Sequence, residues 1–129
     1  MATPVENLKV YQKALSVAGE ISAILRRATF ENDRRLRAQL GASSERVASL
    51  ISEGSEQSTD KHFAEYCYRS KGSAREMRTQ LLVAMQRGHI TEKERVHLDR
   101  CYEEICKMLS GLIKRLELEA HKRRQAPKA

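Results

Sequence analysis

The chain has 129 residues, a length that suits one domain whose core needs neither disulfides nor metal. Aromatic residues make up 5% of it and charged residues 32%, so the composition favours long helices with solvated faces over a β-sandwich or barrel. Its three cysteines are an odd number without CxxC spacing, which indicates a reduced, cytoplasmic protein rather than a disulfide scaffold. The sequence shows no apolar run of the roughly 20 residues that span a membrane and no signal-peptide pattern.

The first predicted helix covers residues 4–28. Thr3-Pro4-Val5-Glu6 matches a capping box with proline at the first helical position. Two apolar stripes lie about 100° apart on this helix. One stripe contains Leu8, Tyr11, Leu15, Ala18 and Leu25, and the other contains Val10, Ala14, Val17, Ile21, Ile24 and Ala28. So broad an apolar face predicts contact with two or more helices, or with another subunit.

The second helix is predicted to follow a short loop at residues 29–32, with Thr29 as its cap, and to end at Glu53 with Gly54 as the stop signal. Gly41 and the small residues after it indicate a close helix crossing. The expected buried positions are Leu36, Leu40, Val47, Leu50 and Ile51.

A third helix is predicted from a cap at Ser58 or Thr59 to Arg87, where Gly88 ends it. A fourth covers residues 92–121 and begins with a capping box formed by Thr91 and Glu94. Heptad spacing on the third helix predicts burial of Phe63, Cys67, Ser70, Ala74, Met77, Leu81 and Ala84. The predicted buried face of the fourth contains Leu98, Cys101, Tyr102, Ile105, Met108, Leu109, Leu112, Ile113 and Leu116.

Short connections force consecutive helices to be antiparallel. The predicted fold class is therefore all-α, an up-down-up-down antiparallel four-helix bundle over residues 1–121. Residues 122–129 are basic and lack apolar periodicity, so we expect a frayed or disordered tail.

No catalytic or metal-binding pattern is present, so we expect neither an enzyme nor a cofactor. The sequence contains no HExxH pair, Walker loop or dinucleotide fingerprint. Glu94 and His97 form a single Glu-x-x-His pair, whereas di-iron bundles need two. Cys101 and Cys106 are interpreted as small buried hydrophobes.

The net charge of +7 favours a polyanionic partner such as RNA or DNA, although it is equally compatible with a role in solubility alone. No sequence-reading motif accompanies it, so binding would use phosphates and tolerate any sequence. The charge concentrates around the first loop and near the C-terminus. The candidate nucleic-acid-binding residues are Arg26, Arg27, Arg34, Arg35 and Arg37, followed by Lys114, Arg115, Lys122, Arg123, Arg124 and Lys128.

Three stretches together resemble a known family. They are Leu8-Lys9-Val10-Tyr11-Gln12-Lys13-Ala14, then Gln39-Leu40 with Ile51-Ser52-Glu53-Gly54, then Gly72-Ser73-Ala74-Arg75-Glu76 with Gln80-Leu81 and Gly88-His89-Ile90. In this order and spacing they are similar to the bacterial four-helix-bundle family of 23S rRNA-intervening-sequence proteins, which is related to the accessory proteins of diversity-generating retroelements.

The resemblance implies a bundle that assembles into a ring, typically a homopentamer. In the retroelement group it implies a basic pentamer that binds reverse transcriptase and nucleic acid. The polar motif residues could line a pocket or an inter-subunit network, or could serve as helix caps and solvated faces. They are Glu53, Gly54, Gly72, Ser73, Glu76 and Gln80.

The favoured hypothesis is a non-enzymatic, cytoplasmic homo-oligomer that offers basic surfaces to nucleic acid or a ribonucleoprotein. Two alternatives stay open: a protein-interaction scaffold with incidental charge, and a bundle that binds a small ligand in an inter-subunit pocket.

Overall fold

The computed structural model describes residues 4–127, and all regular structure in that range is helical. Four α-helices follow one another: α1 (Lys9–Leu25), α2 (Arg34–Ser55), α3 (Asp60–Gln86) and α4 (Glu92–Gln125). Short 3-10 segments at Val5–Asn7 and Ala28–Asn32 precede α1 and α2. Among the described residues there is no strand, and the prediction of an all-α fold with four helices is confirmed.

The helices form an antiparallel four-helix bundle in which α1 packs on α2 and α4, and α3 packs on the same two helices from the other side. Cross-helix contacts give the directions. Lys13 of α1 meets Glu104 of α4 at 3.0 Å, and Glu20 further along α1 meets His97 earlier in α4 at 2.8 Å. Within residues 4–127, no helix combines the length and apolarity needed to cross a bilayer.

The core consists of the apolar faces of all four helices together with Phe30 and Ile90 from the connections. Every predicted buried position of α2 and α3 is buried, as are those of α4 apart from Cys101 and Met108, which are half-buried. The 3.6-residue period therefore located the core of these three helices correctly.

On α1, the two predicted stripes are buried to different degrees. Val10, Ala14, Val17 and Ile21 are buried. In the other stripe Leu8 is buried and Tyr11 and Leu25 pack against the core, whereas 49% of Leu15 is exposed. Because α1 packs mainly on α2 and α4, the middle of this second stripe stays uncovered within one protomer.

The start of α1 differs from the prediction. A 3-10 turn at Val5–Asn7 is followed by extended backbone at Leu8 (ψ 122°), so the α-helix begins at Lys9 rather than at Pro4. The Thr3 half of the proposed capping box lies outside the described residues. Glu6 is in the first turn of the 3-10 segment, where a carboxylate complements the helix dipole.

The predicted helix boundaries were correct at three sites. Gly88 has a positive φ of 82° just past α3, the conformation that favours glycine at a helix end. Thr59 caps α3 by accepting a hydrogen bond from the His62 amide at 3.2 Å. Thr91 and Glu94 form the complete reciprocal capping box of α4.

Three other predicted signals were wrong. Thr29 does not cap α2; it lies inside the 3-10 segment, and Asp33 occupies the N-cap position. Gly54 does not stop α2, which continues to Ser55. Gly54 is buried instead, because α3 crosses so closely that a Cβ there would lie 2.7 Å from Tyr66 Cβ. Gly41 makes no comparable crossing, since a Cβ there would meet only Leu25 Cδ1 at 3.5 Å.

Helix α4 ends later than predicted. Helix α4 continues through Lys122, Arg123 and Arg124 to Gln125 instead of fraying after His121. It has 34 residues, twice the 17 of α1, so its last turns extend beyond the start of α1 and lie against α3. Basic residues in the last turn favour this extension because they complement the helix dipole.

Candidate nucleic-acid interface

The first basic cluster lies at the end of the bundle where α1 leads into α2. Arg26 is the C-cap of α1, and Arg34, Arg35 and Arg37 lie in the first turn of α2. Arg37 is half-buried and the other three are exposed. Within residues 4–127, none of these four arginines forms an ion pair, so their charges are not neutralised by the fold.

The N-terminus of α2 adds positive potential to this cluster. Its first turn contains no acidic residue, and the Asp33 side chain makes no capping hydrogen bond to it. The Asp33 carboxylate is directed elsewhere, to Arg87 at 3.2 Å and to His89 Nε2 at 2.8 Å. The hydrogen bond with His89, helped by that with Arg87, lowers the pKa of Asp33. Unpaired helix N–H groups next to three arginines form a surface that attracts anions.

Arg27, which was grouped with these arginines, has a structural role. Its Nη1 donates to Glu94 Oε1 at 3.0 Å and to the His89 carbonyl oxygen at 3.0 Å, and its Nη2 also pairs with Glu94. The hydrogen bond from Arg27, together with the capping bond from Thr91, lowers the pKa of Glu94 to about 2. Arg27 therefore connects the end of α1 to the start of α4.

His89 completes this end of the bundle. It is buried, its ring stacks on Phe30 with centroids 4.1 Å apart, and its Nε2 faces Asp33. In the sequence, His89 stands out only as part of the stretch Gly88-His89-Ile90. No local pattern indicated its partners, because Asp33 lies 56 residues earlier in the chain.

The second basic cluster lies along the C-terminal half of α4 and continues to the opposite end of the bundle. Two of its charges are partly neutralised: Arg123 meets buried Asp60 at 3.3 Å, and Lys122 meets Glu119 at 3.7 Å. Lys114 and Arg124 are exposed, as is Arg115. Lys128 lies outside the described residues. Arg123 at the end of α4 meets Asp60 at the start of α3, so the last basic residues of this cluster lie about 40 Å from the first cluster, the length of the 27-residue α3. The two clusters therefore form two surfaces in one protomer.

Some residues of the polar motif meet between α2 and α3. Glu76 Oε2 accepts from Ser43 Oγ and from Arg46 Nη2, each at 3.2 Å, and Arg46 Nε donates to Ser73 Oγ at 3.4 Å. Ser73 and Glu76 therefore belong to a network within one protomer. Ser43 and Arg46 were not among the predicted site residues, although their spacing of three places them on one helix face.

The other motif residues do not join this network. Glu53 is exposed, and Gly72 has open space where a side chain would lie. Gln80 is half-buried, with its Oε1 buried and without a hydrogen-bond partner among the described residues. Gly54 belongs to the helix crossing.

The cysteines and the Glu-x-x-His pair also have defined surroundings. Cys67 and Cys106 are buried, and burial raises the pKa of both thiols, to about 12 for Cys67. Glu94 pairs with Arg27, so it does not act with His97 as a metal-ligand pair. His97 instead contacts Glu20 of α1, next to the half-buried Cys101.

Comparison with solved structures shows the same fold elsewhere. A protein of unknown function from the S23 ribosomal protein family of Bacteroides thetaiotaomicron VPI-5482, determined at 1.70 Å, superimposes with a TM-score of 0.73. The two sequences are 20% identical over 81% of this chain and 95% of the other. At that identity the likeness establishes the fold alone. No curated protein matches the sequence.

The family of the protein is identified from its sequence. The profile of the 23S rRNA-intervening sequence proteins matches residues 6–111, which include helices α1 to α3 and the larger part of α4. This range contains all three stretches on which the resemblance was based. The chain therefore belongs to the family of 23S rRNA-intervening sequence proteins.

Proposed function

We propose that the protein is a non-enzymatic homo-oligomer that binds nucleic acid, alone or within a ribonucleoprotein, through its exposed arginine surfaces. We place it in the reducing cytoplasm, because its three cysteines are free thiols and two of them are buried. The family name and the solved relative of unknown function give no activity to transfer. The proposal therefore depends on charge and geometry.

The main support for nucleic-acid binding is the cluster of arginines at the start of α2. Arg34, Arg35 and Arg37 lie at the positive end of the helix dipole, where each positive charge costs about 0.3–1 kcal/mol instead of stabilising the helix. None of the three forms an ion pair within the described residues, and the carboxylate of the N-cap residue Asp33 pairs with Arg87 and His89 instead. A phosphate group at this position would accept hydrogen bonds from the α2 amides and from the guanidinium groups, and would remove the repulsion.

The second cluster supports the same function more weakly. Asp60 and Glu119 reduce its net charge, which leaves Lys114 and Arg124 as its more open cations. Because the clusters are at opposite ends, one protomer cannot present both to a short segment of nucleic acid. Repetition of either cluster in an oligomer would raise the avidity of contacts that are individually weak.

The exposed apolar residues favour self-association. Tyr11, Leu15 and Ala18 of α1 border a shallow groove against Ala48 and Ser52 of α2. On the opposite face of the bundle, between α3 and α4, Tyr68 and Leu118 are each 53% exposed. Two different apolar faces suit the head-to-tail contacts that close a ring, whereas a two-fold dimer would use one face twice. We propose a ring of five subunits, the number that the resemblance implies.

Two measurements test these proposals separately. Light scattering at micromolar concentration should give the mass of a ring, and a monomer would contradict the oligomer. Fluorescence anisotropy with random RNA and DNA should show sequence-tolerant binding that weakens with salt, by a slope of about −0.9 per phosphate contact on duplex DNA. No binding near about 50 mM salt would reject nucleic acid as the partner and favour the protein-interaction scaffold.

A further inference from the structure

Three side chains with different donor atoms meet where the end of α1 lies against the start of α4. Glu20 comes from α1, and His97 and Cys101 are four residues apart on α4, so they share a helix face. One carboxylate oxygen, one imidazole nitrogen and the thiol sulfur all lie within 4.8 Å of one another. His97 Nε2 and Glu20 Oε1 are 2.8 Å apart. Among the described residues this is the one such group of three or more metal-ligand side chains.

We propose that Glu20, His97 and Cys101 form a binding site for Zn²⁺. Oxygen, nitrogen and sulfur donors are the three ligand types that zinc accepts, whereas Mg²⁺ and Ca²⁺ prefer oxygen alone. A carboxylate, a thiolate and a neutral imidazole together carry two negative charges, which match the charge of the ion.

The geometry is close to what zinc requires. Tetrahedral zinc with bonds of about 2.0–2.3 Å places its ligand atoms about 3.5 Å from one another. The Glu20 and His97 side chains are 45% and 60% exposed, so both can rotate by the small amount needed to reach that spacing. Cys101 is half-buried and fixed on α4, and it defines the position of the ion.

Three protein ligands leave the fourth position of the metal open to water or to a group from another molecule. The site would also connect α1 to α4. That connection is otherwise made by the Lys13–Glu104 ion pair, by the Arg27–Glu94 pair and by apolar packing. Bound zinc should therefore stabilise the fold as well as occupy its surface.

The test uses the full chain, from which metal is first removed with a chelator. One sample is titrated with ZnCl₂ by calorimetry, and another is titrated with CoCl₂ while its absorption spectrum is recorded. We expect one metal per protomer, a thiolate-to-cobalt charge-transfer band in the near ultraviolet, and a zinc-dependent rise in Tm. Cys101→Ser should abolish the band. Loss of a residue that only hydrogen-bonds to a metal ligand weakens metal binding by roughly 10- to 100-fold. Cys101→Ser and His97→Ala should each weaken zinc binding by more than this.

Matched controls are present on the same helix. Cys106→Ser removes a thiol five residues further along α4, and His121→Ala removes an exposed imidazole near its far end. Both should keep the wild-type zinc affinity, and circular dichroism should show that all four variants remain helical. Absence of zinc binding by the wild-type protein, or binding that Cys101→Ser and His97→Ala leave unchanged, would overturn the proposal.

Discussion

Gly54 of α2 lies directly against Tyr66 of α3: a Cβ on the glycine would be 2.7 Å from the tyrosine Cβ and 2.9 Å from Phe63 Cδ1. Real Cβ atoms do not approach other atoms this closely, so a side chain there would force the two helices apart. Gly54→Ala should destabilise the fold by about 1–3 kcal/mol in urea unfolding. This loss should appear even though alanine is the better helix former by up to about 1 kcal/mol.

Gly72 of α3 provides the matched control, because a Cβ there would have nothing within 4 Å. Gly72→Ala should stabilise the protein by about 0.5–1 kcal/mol through helix propensity. Equal effects of the two substitutions would show that α2 and α3 do not cross as closely as the structure has them.

Leu109 and Leu15 should respond differently to truncation. Because Leu109 is fully buried, Leu109→Ala should lower the free energy of unfolding of a protomer by about 2–5 kcal/mol. Because Leu15 is 49% exposed, Leu15→Ala should lower it by less than about 1 kcal/mol. If Leu15 forms part of a subunit interface, light scattering of Leu15→Ala should show a smaller mass at low concentration. A large loss of stability at Leu15 without a change in mass would place it in the protomer core instead.

The arginines at the start of α2 should dominate nucleic-acid binding. Simultaneous replacement of Arg34, Arg35 and Arg37 by glutamine should lower the affinity for nucleic acid in anisotropy titrations. The slope of log affinity against log salt should decrease in magnitude by up to about 3, roughly one for each lost phosphate contact. The fold should not lose stability, because these cations oppose the helix dipole.

A triple replacement of Arg69, Arg75 and Arg100 by glutamine serves as the control, since it removes the same charge from α3 and α4, outside both basic clusters. If the control weakens binding as much as the α2 variant does, net charge rather than the α2 surface determines affinity.

The double substitution Lys122→Gln and Arg124→Gln tests the second cluster. It keeps the contact between Arg123 and Asp60, which deletion of residues 122–129 would remove.

The Arg27–Glu94 pair should contribute to stability in a pH-dependent manner. The folded-state pKa of Glu94, about 2, is below its unfolded value of about 4.3. The stabilisation is therefore fully present above the unfolded pKa and is lost as the pH falls toward 2. Glu94→Gln, which can keep the capping box, should cost about 1 kcal/mol at pH 7 after allowance for solvent screening, and this difference should disappear at low pH.

Glu92→Gln is the control for that measurement. Glu92 is exposed in the same first turn of α4 and forms no hydrogen bond or ion pair with the described residues. Its replacement should leave the pH dependence of unfolding unchanged. If the free energy of unfolding of Glu94→Gln falls with acid as steeply as that of the wild type, the pair with Arg27 is absent in solution.

The sequence predicted those features that depend on neighbours along the chain. The heptad positions of α3 and the Thr91–Glu94 box both follow from spacings of three to seven residues, which the helix period determines. Features that depend on distant neighbours were missed or misread. Arg26 and Arg27 are adjacent in the sequence, yet within residues 4–127 only Arg27 has a carboxylate partner, 67 residues away.

Ambiguous local signals account for the remaining errors. A glycine near a helix end can provide either a positive φ or a close approach; Gly88 does the first and Gly54 the second. Two neighbouring apolar stripes look alike in sequence, and only the positions of α2 and α4 decide that Ile21 is buried and Leu15 is not. Glu20, 77 residues from His97, gives no local indication of that contact.

The unequal lengths of α1 and α4 have a consequence for hydrogen exchange. Residues 98–116 of α4 contribute to the shared core, so their amides should exchange slowly, through global unfolding. Residues 117–125 lie beyond Leu116, the last core residue of α4, and contact α3 through Tyr68 and Asp60. Their amides should exchange orders of magnitude faster through local opening, so that deuterium enters α4 from its C-terminal end while its middle stays protected.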